Sequence, residues 1–348
     1  MTRSVWAWAR VLGGAAIIAL LIWRLGTGAF LDGLRVVDGG TILVAFGIGV
    51  ATTVFSAWRW CLVARGLGMR LPLAAAIADY YKALFLNAAL PGGVLGDVDR
   101  AVKHGRGEGD VGRGVRAVVL ERTAGQVVLL AVGVTVLLTV PSPVLSNLRE
   151  HAPLVALTGA TVAGAAVIVL LACRRARRGA SRTARAARAG LTEIRTGLLA
   201  RRNWPGIVLA STVVLAGHLA MFVVAARAAG SSASLLRLAP LMLLALLAMT
   251  LPVNIGGWGP REGVTAWAFG AAGLSATQGL TIAVVYGLFA FVAALPGAAV
   301  LITRGVARMW SRMPVETPAA ADALAAGDIR EPAHVPAQPI RALAHSGA

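Results

Sequence analysis

Long apolar runs alternate along the chain with short stretches that carry arginine. Six runs reach the roughly 20 residues that a helix needs to cross a bilayer: about 5–25, 41–64, 115–140, 152–172, 206–228 and 278–302. Two further apolar segments, 74–90 and 235–251, each stop at a Leu-Pro pair and a glycine-rich turn. The pattern predicts an all-α polytopic membrane protein built from eight apolar segments. After Trp310 it dissolves into proline, alanine and scattered charge. Residues 311–348 are therefore expected to be a disordered cytoplasmic tail, without a core or a catalytic domain, behind a membrane domain at 1–310.

The two interrupted segments share their punctuation. LPGGVLGDVDR at 90–100 and LPVNIGGWGPR at 251–261 each place a glycine five residues and an arginine nine residues after the proline. The halves around them, about 1–140 and 152–302, both read as span, span, broken segment, span. Transporters built as inverted repeats show this plan, with Gly/Pro-interrupted segments at matching positions marking the site. Backbone released by such a break survives at membrane depth only inside protein or beside a water-filled cavity. The alternative is that Leu-Pro ends two ordinary spans at the interface.

Charge placement bears on that choice. The 348 residues carry 14% charged side chains and a mean hydropathy of +0.75, against about 25% charged for a soluble chain. The net charge of +18 comes from 33 basic residues, all arginine except Lys82 and Lys103. They lie between apolar spans, as in cytoplasmic loops, which argues against nucleic acid as the partner. The stretch 173–202 holds ten arginines and a single acid, Glu193. Arg3 with Arg10, Arg65 with Arg70, and Arg304 with Arg308 and Arg312 belong on the same side. Loops 24–40, where Asp32 and Asp38 offset two arginines, and 141–151, nearly neutral, belong outside. All these placements agree only if 74–95 and 235–273 enter and return without crossing. That gives about six full spans plus two re-entrant segments, the first dipping in from the cytoplasm and the second from outside, with both termini cytoplasmic. Residues 1–24 lack a small-residue cleavage site and read as a retained span. Cys61 and Cys173 sit at span ends and make no disulfide framework.

Ionisable groups inside membrane segments are expensive and mark functional sites. Near the first break these are Asp79 and Lys82, three residues apart on one helical face, then Asp97, Asp99 and Arg100. Glu121 and Arg122 open the span at 115–140, with Gln126 behind them. Being adjacent, they face different neighbours, Arg100 for the acid and an anionic headgroup for the base. At the second break Trp258, Arg261 and Glu262 border a glycine cluster, and a helix starting near Pro260 would offer N–H groups to an anion. His218 lies alone in 206–228 and reads as a hydrogen-bonded packing residue. GEGDVG at 107–112 matches a dinucleotide fingerprint in letters only, lacking its βαβ context. No P-loop, zinc-protease or nucleophile-elbow motif occurs, so the expectation is no cofactor, no metal and no catalytic residue.

LPGGVLGDVDRAVKHG followed by VVLERTAGQ, and LPVNIGGWGPREGVTAWAFGAAGLSATQG in the second half, resemble the motifs of the lysylphosphatidylglycerol synthase transmembrane region. This is also called the flippase-like domain. The resemblance runs over about 40–305 and carries the family's charged positions onto Asp97, Arg100, Glu121, Arg122, Arg261 and Glu262. Leu95 departs from it, where a second glycine is usual. The resemblance implies an integral module of the bacterial plasma membrane that in the full synthases moves aminoacylated phosphatidylglycerol between leaflets, and in other members accompanies polyprenyl-linked or glycolipid synthesis. The aminoacyltransferase domain of the full synthases is not in the sequence, so lipid aminoacylation by this chain alone is not expected.

Three functions follow as expectations. The first is a translocase for an anionic phospholipid or a polyprenyl or glycolipid, binding it through Asp97, Arg100, Glu121, Arg122, Arg261, Glu262, Asp79, Lys82 and Trp258. The second is a lipid-modifying membrane enzyme with Asp97, Asp99 or Glu121 as general base. The third is a membrane partner of a glycosyltransferase or another lipid-modifying enzyme.

Overall fold

The computed structural model describes residues 28–90, 93–141, 195–198, 200–250 and 258–310, together with Ala19 and Trp23. Apart from those two residues, the expected span 5–25 lies outside them, as do 152–172, most of 173–202 and the tail 311–348. The chain forms one compact unit over 1–302 and a second over 303–348, whose described part is the helical end 303–310.

Every regular element described is an α-helix. A short α1 (Gly28–Arg35) precedes α2 (Gly39–Gly66), α3 (Leu73–Ala89), α4 (Leu95–Gly107) and α5 (Val111–Thr139). The second series is α6 (Trp204–Ala228), α7 (Leu235–Ala248), α8 (Pro260–Ala271), α9 (Ala276–Ala294) and α10 (Pro296–Trp310). Four helices are long and apolar enough to cross a membrane: α2, α5, α6, and α9 run together with the start of α10 over Ala276–Arg304. At about 1.5 Å per residue, the 28 residues of α2 exceed the bilayer's hydrocarbon core of about 30 Å.

Capping fixes where helices begin. Asp38 accepts the N–H groups of Gly40 and Thr41 at 2.7 and 3.0 Å and holds the start of α2. Those N–H groups, Thr41's above all, lower its pKa from the usual carboxylate value. Asp110, Ser234 and Ser275 cap α5, α7 and α9 in the same way. Proline fixes where helices stop. Leu90 is extended, at φ −108° and ψ 144°, because the residue before a proline is pushed out of the helical region. Pro260 opens α8 as its first residue, where a missing N–H costs nothing.

Each half thus reads long, short, short, long: α2–α3–α4–α5 and α6–α7–α8–α9. The packing is reciprocal. Helix α2 lies against α6, α5 against α7 as α9 lies against α3, and α5 against α6 as α9 lies against α2. Where long helices meet, small residues let the backbones close in, as membrane helix interfaces require. A Cβ at Gly49 would stand 2.3 Å from that of Ala293, and one at Gly217 2.3 Å from a Thr52 methyl. Away from these seams α5 turns Val115, Val119, Val127, Leu130, Val134 and Leu138 outward, an apolar surface suited to lipid.

The hairpin of α3 and α4 closes on Gly96. A Cβ there would meet the Ala83 carbonyl oxygen at 2.1 Å, backbone that no rotamer change can move. Gly96→Ala should therefore destabilise the folded protein by about 1–3 kcal/mol, the usual cost of overpacking. Gly47→Ala, with open space around it, should leave the folding stability in detergent within about 0.5 kcal/mol of wild type.

Candidate functional site

Residues flanking both breaks line one cavity of about 530 Å³. Asn87, Gly93, Val94 and Asp97 line it from the first, and Met249, Thr250, Trp258 and Arg261 from the second. The long helices complete the wall, with Arg59 on α2, Arg122 and Gln126 on α5, Ser211 and His218 on α6, and Tyr286 and Gly287 on α9. Apolar side chains such as Leu129, Leu246 and Phe291 fill the rest. The result is a polar patch enclosed by spanning helices, where membrane proteins place substrate sites.

Glu121 is the hinge of the first charge cluster. Its carboxylate, 0% exposed, accepts from Arg59 Nη2 at 2.5 Å and from Arg100 Nη2 at 2.7 Å, with Tyr80 Oη at 3.3 Å. One side chain thereby ties α5 to α2 and to α4. Arg100 is fully buried between the rings of Trp60 and Tyr80, 4.7 and 4.5 Å from their centroids, which stabilises its charge by cation–π attraction. From the same guanidinium Nε donates to Asp97 at 2.9 Å, and Arg122 binds Asp97 from the other side at 2.8 Å. Arg59 also donates to Ser211 on α6, carrying the network into the second half of the chain.

Asn87 splices the first break. Its amide oxygen accepts the Gly96 N–H at 2.7 Å and its amide nitrogen donates to Asp97 at 3.1 Å. Leu95, where the resemblance expected a glycine, is the first residue of α4. No described residue other than glycine has a positive φ, so the turn does not need a glycine there. At the second break Gly259 does need to be one, with φ at 117°. Glu262 accepts the Gly259 N–H at 2.7 Å and Arg261 Nε at 2.9 Å. The α8 N-terminus is thus capped by its own carboxylate rather than left open for an anion. Arg261 lies 5.2 Å from the ring centroids of both Trp258 and Tyr286. Gly287 leaves room for it, since a Cβ there would come within 2.4 Å of Arg261 Nη2.

Of the residues singled out in the sequence, Asp97, Arg122, Trp258 and Arg261 line the cavity, and Arg100, Glu121 and Glu262 hold them in place. Glu121 does meet Arg100, while Arg122 takes Asp97. Asp79 and Lys82 are not among the residues that line the cavity, and each bridges to α4, Asp79 to Lys103 and Lys82 to Asp99. Their positions three apart on α3 aim both at the neighbouring helix, which offers a partner of opposite sign to each. Arg59 was missed, although a single arginine within an apolar run is a signal in itself. His218, read as a packing residue, does take a hydrogen bond from its surroundings, with Nδ1 2.9 Å from Tyr286 Oη, but it also lines the cavity. Tyr286 carried no sequence signal. Among the described residues no group of three His, Cys, Asp or Glu side chains is placed to hold a metal ion.

Removing one partner from a buried ion pair strands the other charge, at a cost of about 3–5 kcal/mol. Glu121→Gln leaves Arg59 without a carboxylate among the described residues and Arg100 with Asp97 alone, and should lower stability in detergent by about that much. Arg122→Gln should cost clearly less, because that side chain is 41% exposed. Equal midpoints for the two variants would show that Glu121 does not anchor the cluster.

No curated protein and no solved structure matches the chain. One family model does, over residues 8–297, and it covers the cavity, both breaks, three of the four spanning helices and most of the fourth. The chain is a multi-pass membrane protein and belongs to the lysylphosphatidylglycerol synthase TM region family.

Proposed function

We propose that this protein is a translocase of the bacterial plasma membrane that moves a lipid with an anionic headgroup between leaflets. The observation that carries the proposal is the cavity: residues flanking both broken segments line it, and its wall carries Arg59, Arg122 and Arg261 amid apolar helices. The guanidiniums suit a phosphate, while the apolar wall and the outward valines and leucines of α5 suit acyl chains. Both cavity-wall arginines outside the Ser211 contact keep a donor to offer. Arg122 and Arg261 hold their carboxylates through Nε and Nη2, and their Nη1 groups have no hydrogen bond among the described residues.

In this reading α3–α4 and α7–α8 are re-entrant hairpins in a six-span inverted repeat with both termini cytoplasmic. The reciprocal packing of the halves and the arginine placement support it. Positioning is favoured over catalysis because the carboxylates are already engaged. Asp97 accepts from Arg100, Arg122 and Asn87, and Glu121 from Arg59, Arg100 and Tyr80. Lone pairs held by guanidiniums are poorly placed to take a proton from a substrate.

The test is a leaflet assay in proteoliposomes, with fluorescent lipids read by an impermeant quencher. Wild type should move an anionic phospholipid faster than empty vesicles do, and Arg122→Gln should cut that rate by about tenfold, as loss of one charge-assisted contact implies. Rates indistinguishable from empty vesicles across anionic, zwitterionic and polyprenyl lipids would sink the proposal. For topology, Val98→Cys and Asn254→Cys in a background lacking Cys61 and Cys173 should react with an impermeant thiol reagent from the cytoplasm and from outside, respectively. Labelling of both from one side would break the inverted repeat.

A further inference from the structure

Helices α2 and α4 each pack against α3 and α5 but scarcely against one another, and large side chains span the space between them. From α2 comes Trp60, 0% exposed. From α4 come Arg100 and His104, four residues apart and so on one face of the helix. Arg100 Cζ lies 4.7 Å from the centroid of the Trp60 ring. The His104 ring meets the same indole edge-on, with 5.6 Å between centroids and 72° between planes. The cluster packed around Trp60 is rich in small side chains, among them Ala57, Ala64, Ala76, Ala101 and Ala117.

Each of these three large side chains keeps one buried nitrogen without a hydrogen bond among the described residues: Trp60 Nε1, Arg100 Nη1 and His104 Nε2. The rest of the Arg100 guanidinium is engaged. Its Nε donates to Asp97 at 2.9 Å and its Nη2 to Glu121 at 2.7 Å, while the Trp60 and Tyr80 rings cover it. Buried polar groups are rarely left unpaired, because each then bears the full cost of leaving water. Three such groups beside one indole call for a shared partner.

The chemistry of the nitrogens selects that partner. The indole N–H and the guanidinium only donate, and the imidazole Nε2 accepts in the tautomer with its proton on Nδ1. The partner must therefore accept two hydrogen bonds and donate one. Water does this, and an enclosed water typically makes about three hydrogen bonds. An anion accepts but cannot donate. It would also share one guanidinium with the carboxylates of Asp97 and Glu121, which repel it. A lipid headgroup in the cavity is out of reach, since neither Trp60, Arg100 nor His104 lines that wall.

We propose that a water molecule is held between α2 and α4 by Trp60 Nε1, Arg100 Nη1 and His104 Nε2. It accepts from the first two and donates to the third. With it every nitrogen of Arg100 has a partner, so Arg100 is an anchor for Asp97 and Glu121 with nothing left to offer a lipid. His104, which carried no signal in the sequence, becomes a positioning residue that acts on Arg100 through the water. None of this depends on the translocase reading.

The test is a structure of the full chain at a resolution that shows ordered water, from crystals grown in bromide. One peak should lie about 3 Å from all three nitrogens and give no anomalous signal. An anomalous peak there would make it an anion site and overturn the proposal. So would an empty void, or Arg100 Nη1 turned onto a protein oxygen. Solution NMR on isotope-labelled tryptophan checks the same point in detergent. The Trp60 indole N–H is identified as the signal lost in Trp60→Phe, and it should show a cross-peak to water. His104→Leu removes the acceptor and should cut that cross-peak by about threefold, as loss of one of about three hydrogen bonds implies. A folded His104→Leu with the cross-peak intact overturns the shared site. Should that variant fail to fold, the wild-type spectrum decides alone, and no contact between the Trp60 N–H and water overturns the proposal.

Discussion

A carboxylate with no exposure to solvent, Glu121, accepts two guanidiniums, and three helices are held by that arrangement. In the low dielectric of a bilayer neither sign could be buried alone. Arg59 and Arg100 need Glu121, Arg100 and Arg122 need Asp97, and Asp97 keeps its place through Asn87. Each charge is therefore tolerable only because the others are in place, and the cavity's shape follows from that mutual requirement. Apolar packing brings α2, α5 and α6 together, but it would do so in many registers. The charge cluster permits few.

The second break solves the same problem with fewer parts. There Glu262 serves both as helix cap and as counter-ion to Arg261, so one residue does what Asn87 and Asp97 share at the first break. In both cases a side-chain oxygen accepts the N–H of a glycine at the start of the next helix, Gly96 or Gly259, so each of these N–H groups finds its partner inside the protein.

The helices and their breaks were legible in the sequence because each rests on local chemistry. Leu90 is extended because a proline follows it, and α8 begins at Pro260 because proline tolerates that position. Asp97, Arg122 and Arg261 were legible because charge within apolar sequence is conspicuous. Partner choice was not. Asp79 and Lys82 share a face of α3, yet what decides their bridges is that α4 brings Lys103 and Asp99 alongside, and no spacing within α3 contains that. Arg59 stands 62 residues from Glu121, and His218 stands 68 from Tyr286. Such meetings depend on how helices cross, which the pattern of one helix does not encode. Tyr286 and Gly287 show the limit most clearly: a tyrosine and a glycine in an apolar run look like packing until Arg261 is seen to occupy the space between them.

Asn87 has a mechanical consequence. A bare break between two helices is a hinge, able to flex at every residue that lacks a backbone partner. Here one amide grips the Gly96 backbone and the Asp97 carboxylate together, and Gly96 sits so close to Ala83 that the two arms cannot slide. The described ends of α3 and α4 are consequently pinned to each other. Any rearrangement at this break would carry the two helix ends together. Movement of the long helices against one another is restrained too, since it would have to break hydrogen bonds such as Arg59 to Ser211 between α2 and α6.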